Sequence, residues 1–221
     1  MIQLHHSPSS AAMAPYILLE EMGVPFEKIN VDTAQGAHRS DVYKRLNPNG
    51  LVPVLVDGDL VLYESAAICL HLCDTHPQAG LAPAVGTVAR AHFYKWLMWL
   101  TNTLQATLIV YFYPERWVKD GDASRAAELK AQAELKVDGL LAQLDAELAR
   151  LEVVGASPWL VGGEFSAVDV YALMLCRWTR NFASTTPARG RPHVGPYLQR
   201  VLARPAVQRV FAAEGLAQPW V

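Results

Sequence analysis

Charge is scarce in this sequence, cysteine is scarcer, and long apolar runs are missing. Charged residues make up 18% of the 221 positions and the net charge is −2, so there is no electrostatic case for nucleic acid or an anionic membrane as partner. The three cysteines are an odd number without a C-x-x-C pair, which fits a reducing cytosol. Cys69 and Cys73 stand one helical turn apart, a spacing that does not suit a redox pair. Core packing is the expected role for both and for Cys176. No run approaches the roughly 18 apolar residues of a membrane span. Met1-Ile2-Gln3-Leu4-His5-His6 has neither the basic nor the apolar region of a signal peptide. Internal repeats and low-complexity tracts are also missing. What is abundant is apolar mass: 52% of residues are hydrophobic, and part of that excess is expected at a subunit interface. A chain of this length makes one large domain or two modest ones. It buries roughly 70% of its unfolded surface without needing disulfides.

Along the chain, Ile2-Gln3-Leu4-His5-His6 alternates as a short strand does. His5 and His6 therefore point to opposite faces and do not share a metal; an ordinary strand-end contact is expected for His6. Ser7-Pro8-Ser9-Ser10 is turn material that offers helix caps. A helical pattern covers 11–22, with Pro15 near its first turn, and Gly23 and Pro25 stop it. Residues 26–31 read as a second strand, and Ser40 caps a short helix over 41–46. Asn49-Gly50 is a turn signal, and Val52-Pro53-Val54-Leu55-Val56 is an apolar, β-branched strand covered on both faces. Pro53 cannot donate to a ladder, which leaves the backbone groups of Leu51 and Val52 open to another partner. Asp57-Gly58 turns the chain into Leu60-Val61-Leu62-Tyr63, and at Glu64-Ser65 the apolar period becomes helical. A helix N-terminus seats an anion, and Glu64 offers a counter-charge for an ammonium. Together these make a receptor for a small zwitterionic peptide.

The glycines and prolines between 77 and 86 mark a linker, and everything beyond it reads as helical. The expected helices cover 88–111, 123–151 after a cap at Asp122 or Ser124, 194–203 and 207–213, with a loop at 155–158. Ser166 and Asp169 have capping-box spacing, with Phe165 and Val170 at the staple positions.

This ordered set of motifs resembles the glutathione transferase family, whose N-terminal domain is thioredoxin-like and whose C-terminal domain is all helical. The resemblance implies an α+β domain over 1–79 and an α domain over 87–221. It also implies a cis peptide at Val52-Pro53 that pairs with the cysteinyl backbone of glutathione, and a Glu64-Ser65 pair that holds the γ-glutamyl ammonium and carboxylate. Ser166 and Asp169 match a box that serves folding in this family. Closest is the bacterial beta class. Its cysteine falls here on Ala11 and its aromatic pair on His5-His6, so serine chemistry is expected in place of a mixed disulfide.

A free thiol titrates near ~8.5, and lowering that by about two units needs ~2.7 kcal/mol of selective stabilisation. A helix N-terminus supplies ~0.3–1 kcal/mol, up to ~2 when buried, and a hydrogen bond to the charged sulfur roughly 1.5–3. The two occur together at Ser9-Ser10, ahead of the first helix. Ser10 is the first candidate donor and Ser9 the second; a plain cap is the competing role for either. For the electrophile the candidates are Asn102, Gln105, Tyr111 and Tyr113, with Trp99 and Trp178 as walls. Arg39 and Lys44 could meet the glycyl carboxylate. The expected protein is a cytoplasmic homodimer without metal that adds glutathione thiolate to small hydrophobic electrophiles. Two rivals stand beside it: a glutathione-dependent reductase, isomerase or dehalogenase, and a non-catalytic interaction protein on the same fold.

Overall fold

Alternation decides the first strand. Ile2, Leu4 and His6 are buried while Gln3 and His5 are half-buried, the period-2 signature of a strand with one face in a core. The computed structural model describes residues 1–155 and 159–221; the end of the loop expected at 155–158 lies outside them. The chain divides into two compact units, Met1–Ala82 with Ala203–Ala217, and Pro83–Leu202 with Gln218–Val221.

In the first unit the strands β1 (Ile2–His6), β2 (Phe26–Asn30), β3 (Val54–Asp57) and β4 (Leu60–Tyr63) form one sheet in the order β2-β1-β3-β4. β1 runs parallel to β2 and antiparallel to β3, and β4 closes a hairpin on β3. The helices are α1 (Met13–Met22), α2 (Asp41–Lys44) and α3 (Ser65–Thr75). α1 is buried without a break from Met13 to Leu19, as a helix that is apolar all round must be. Residue parity along β3 divides the core. Leu55, fully buried, pairs with Leu4 of β1. Val54 joins Val31 and Tyr43 in a second cluster, flanked by Leu46, Val52, Val56 and Tyr63.

Several expectations shift by a residue or more. α1 begins at Met13 and not at 11, with Ala12 in the cap position and no side-chain cap bond. α2 stops at Lys44, although Ser40 caps it as expected, accepting the Tyr43 N–H at 3.2 Å. β3 starts only after Pro53, which has no N–H to give to the ladder. The hairpin pairs Asp57 with Leu60, so the two central turn residues are Gly58 and Asp59, with Gly58 at φ +58. Glycine at the first central position is what such a turn demands. The α domain expected over 87–221 includes the last helix, α9 (Pro205–Ala213), yet this helix packs on α1 and clusters with the first unit.

The second unit holds α4 (Val88–Trp99), α5 (Ala106–Phe112), α6 (Ala123–Val153), α7 (Ala167–Trp178) and α8 (Val194–Leu202). Residues Leu100–Gln105 between α4 and α5 wind as a π-helix, a form often found at functional sites. α6 buries Ala133, Val137, Leu141, Leu144, Leu148 and Leu151, three or four apart, as the apolar stripe of a helix must be. The buried Glu134 on the same stripe accepts the N–H groups of Ser184 and Thr185 and fixes that loop. Cys69, Cys73 and Cys176 are buried free thiols.

α7 carries the capping box. Asp169 is fully buried, and its Oδ2 accepts both the Ser166 N–H at 2.8 Å and the Ser166 hydroxyl at 3.1 Å. Its Oδ1 accepts the Leu160 N–H at 2.9 Å and the Tyr197 hydroxyl of α8 at 2.8 Å. Burial pushes this carboxyl upward in pKa, against the downward pull of its four donors. One side chain thus joins a loop, a helix start and a second helix. Asp169→Ala strands all four donors and is expected to cost at least ~3 kcal/mol. Ser166→Ala should cost only about 0.5–2 kcal/mol. Urea midpoints at an unchanged m-value give both numbers, and an Asp169→Ala loss no larger than that of Ser166→Ala would contradict the assignment.

Candidate functional site

The sheet register gathers the site. His5 of β1 lies opposite Val54 of β3, and Val54 lies opposite Tyr63 of β4. Three segments therefore leave the sheet at one end: residues 7–12 after β1, 51–53 before β3, and 64–65 after β4. Antiparallel pairing makes this unavoidable, because the end of β1 and the end of β4 both flank the start of β3. A side chain then ties two of the segments together: the Ser65 hydroxyl donates to the Ala11 carbonyl at 3.0 Å.

The Val52-Pro53 peptide is cis. Pro53 is buried and Val52 half-buried. Among the described residues no backbone hydrogen bond engages Val52, so its N–H and C=O remain available. Leu51 corrects the reading of the sequence. Its carbonyl is not open, because the Tyr43 hydroxyl donates to it at 3.0 Å and the Asn47 amide at 2.8 Å. Tyr43, which sequence reasoning passed over, is buried, and burial pushes its phenol up to about 12 in pKa, so it stays a donor. Below it, Asn47 also accepts the Asn49 N–H at 3.0 Å, closing the expected turn. Gly50 sits at φ +60, and a Cβ there would lie 3.0 Å from the His38 carbonyl. Arg39 and Lys44 are exposed, flank this turn, and have no ion-pair partner among the described residues.

Glu64 and Ser65 divide their work. Ser65 is buried at the first turn of α3. Glu64 is exposed and holds φ +73, a region that costs a non-glycine residue about 1–3 kcal/mol and tends to mark functional sites. Ser9 is the other such residue among those described, at φ +57, and it reverses the chain between β1 and α1. Residue type does not reveal either one, since neither is a glycine or asparagine. Ser10 follows. Its hydroxyl donates to the Ser7 carbonyl at 2.6 Å and accepts the Ala12 N–H at 3.2 Å. The Ser9 N–H is held by Glu214 at 2.8 Å, while its hydroxyl has no partner among the described residues. His6 is buried and packs against the Tyr16 ring, with centroids 5.8 Å apart. Its Nδ1 lies 3.8 Å from Glu214 Oε1.

The residues named for the electrophile lie in the helical unit, each with contacts of its own. Gln105 accepts the Tyr171 hydroxyl at 2.5 Å, and Asn102 is exposed in the π-helical stretch, accepting from Thr101 at 3.1 Å. Tyr111 packs on Phe182 at 4.5 Å, with Lys130 over its ring at 4.9 Å. Burial and the Glu134 carboxylate raise its phenol pKa. Phe112 meets Trp178 edge-on at 6.2 Å, and Tyr113 is exposed under the Arg116 guanidinium at 3.9 Å. Trp99 stands apart from these, with Trp96, Gln143 and Arg150 around a separate cleft of about 360 Å³. Among the described residues no cluster of His, Cys, Asp or Glu suits a metal ion, and no helix is long and apolar enough to cross a membrane.

Comparison with known proteins identifies the family. The family model for the glutathione S-transferase N-terminal domain matches residues 1–74, and that for the C-terminal domain matches 99–205. Glutathione S-transferase GstA of Escherichia coli O157:H7 is 28% identical over 217 residues, covering 97% of this chain and 100% of its own length. Glutathione S-transferase 3 of Zea mays is 32% identical over 209 residues, 91% of this chain and 89% of its own. Among solved structures, a sphingomonad glutathione S-transferase complexed with glutathione aligns with a TM-score of 0.80 at 31% identity, covering 97% of this chain and 100% of that one. Both domain models fall in order on a chain whose sheet brings the serine loop, the cis-proline and Glu64-Ser65 to one end: the chain belongs to the glutathione S-transferase family of enzymes.

Proposed function

We propose that this enzyme binds glutathione across the sheet end just described and transfers its thiolate to small hydrophobic electrophiles. The observation that carries this reading is the convergence of residues 7–12, the cis Val52-Pro53 peptide and Glu64-Ser65, tied by the bond from Ser65 to Ala11. Val52 supplies an N–H and a C=O with no backbone partner, suited to a peptide's main chain. Glu64, exposed on a strained backbone, takes the γ-glutamyl ammonium. The N–H groups at the start of α3, beside Ser65, take the carboxylate. Arg39 and Lys44 offer cations for the glycyl carboxylate. Glutathione is the co-substrate, and the reaction needs no metal from this chain. The enzyme acts in the cytoplasm as a homodimer.

Thiolate formation falls to the head of α1. Ser10 is placed for it: its oxygen already accepts the Ala12 N–H, so the amides that begin the helix polarise the hydroxyl toward donation. Its proton is given to the Ser7 carbonyl. A sulfur anion is a stronger acceptor than a neutral carbonyl, and rotation about one bond transfers the donation. With Ala11 in the position of the beta-class cysteine, no protein thiol competes for the bound glutathione, which supports transfer over thiol exchange.

Retention on immobilised glutathione, followed by turnover with an aryl halide, tests the reading. A folded protein that is neither retained nor active would refute it. Ser10→Ala should raise the pKa of bound glutathione by about one unit or more, moving the rate–pH profile to higher pH because the thiolate then forms later. Affinity should stay near normal, and a spectroscopic thiolate titration reads the shift. An unmoved pKa would transfer the role to Ser9. Glu64→Ala should weaken glutathione binding roughly tenfold to a hundredfold; calorimetry showing unaltered affinity would remove the ammonium assignment.

A further inference from the structure

Glu214 ends the last helix, 205 residues from Ser9, its partner. Two arginines of the same stretch grip α1 from outside, Arg204 on Glu21 at 2.6 Å and Arg209 on Glu20 at 2.8 Å. The Glu214 side chain instead turns inward and is only 1% exposed. One oxygen, Oε2, accepts the Ser9 N–H at 2.8 Å. The other, Oε1, is buried without a hydrogen-bond partner and lies 3.8 Å from His6 Nδ1, which is also buried without one. A carboxylate withdrawn from water is costly unless it is bonded and paired, so this placement calls for a reason. Ser9 supplies one. It holds φ +57, and a strained residue stays strained only where its surroundings over-determine it. The bond from Glu214 fixes the backbone of that residue directly before Ser10, whose hydroxyl must keep its place relative to Ser7 and Ala12.

We infer that Glu214 is a positioning residue for thiolate formation: its buried carboxylate pins the strained Ser9 backbone, with the imidazole of His6 as the group that confines it from the strand side. The inference rests on the proposed transferase reading of this loop. It brings the C-terminal stretch into the site although no residue of that stretch carries a recognisable motif.

Three variants test it. Glu214→Ala removes the acceptor, Glu214→Gln keeps an oxygen for the Ser9 N–H while removing the charge, and Glu214→Asp keeps the charge but withdraws the oxygen by one methylene. In Glu214→Ala the bound thiol should rise in pKa by about one unit and kcat should fall about tenfold, with glutathione affinity changed less than about threefold. Glu214→Gln should restore both, and Glu214→Asp should resemble Glu214→Ala, which it replaces if the alanine variant does not fold. Exchange of the Ser9 amide, followed by NMR without glutathione, should quicken in Glu214→Ala and Glu214→Asp. Unchanged exchange overturns the inference. So does a wild-type thiol pKa in a folded alanine or aspartate variant, or a glutamine variant as impaired as alanine. Wild-type protein that fails to bind glutathione would instead overturn the functional reading, and the Ser9 exchange would still decide whether Glu214 holds the loop.

Discussion

The candidate site depends on one antiparallel register. β1, β3 and β4 are locked by the opposed residues His5, Val54 and Tyr63, and each has a turn or loop at that level. If β3 slipped by one residue, Val54 and Leu55 would exchange faces, both halves of the core would be lost, and the three turns would no longer meet. The register is held by packing on both sides of the sheet, with Leu4 and Leu55 on one side and Val31, Tyr43 and Val54 on the other. Hydrophobic burial, which is non-directional, thus becomes directional through residue parity. It delivers an unpaired peptide segment, a hydroxyl loop and a helix start to one place.

Within that place the chemistry is carried largely by backbone. Val52 offers its N–H and C=O because cis Pro53 cannot extend the ladder. The Tyr43 hydroxyl and the Asn47 amide satisfy the neighbouring Leu51 carbonyl, so of these two carbonyls the one left open is that of Val52. Among the described residues two that are not glycine sit in the left-handed half of conformational space, Ser9 and Glu64, and both lie at this end of the sheet. Strain of that kind is tolerated where the surroundings hold it. At Ser9 the holder is the side chain of Glu214, and at Glu64 it is the paired strand on one side and the first turn of α3 on the other.

The helical unit shows a different economy. Asp169 gathers four donors from a loop, a helix start and α8, and Glu134 does similar work for the loop at Ser184 and Thr185. Each is a buried carboxyl group whose cost is offset by three or four hydrogen bonds, which makes it specific to one arrangement of its partners. The aromatic residues of this unit mostly meet one another, as Tyr111 does Phe182 and Phe112 does Trp178.

The sequence by itself determined what local chemistry can determine. Asn49-Gly50, Gly58, Ser40 and the Ser166/Asp169 pair each act within a few residues, and the structure realises every one of them. The displaced proline and the Glu64-Ser65 junction were legible for the same reason, since a missing N–H and a change of hydrophobic period are properties of adjacent residues. Tertiary structure alone decided that the strained Ser9 is held by Glu214 and that α9 belongs with α1. These facts depend on contacts between residues far apart along the chain. No composition or spacing rule reports them, because the free energy that fixes them is gained only when distant segments are already packed together.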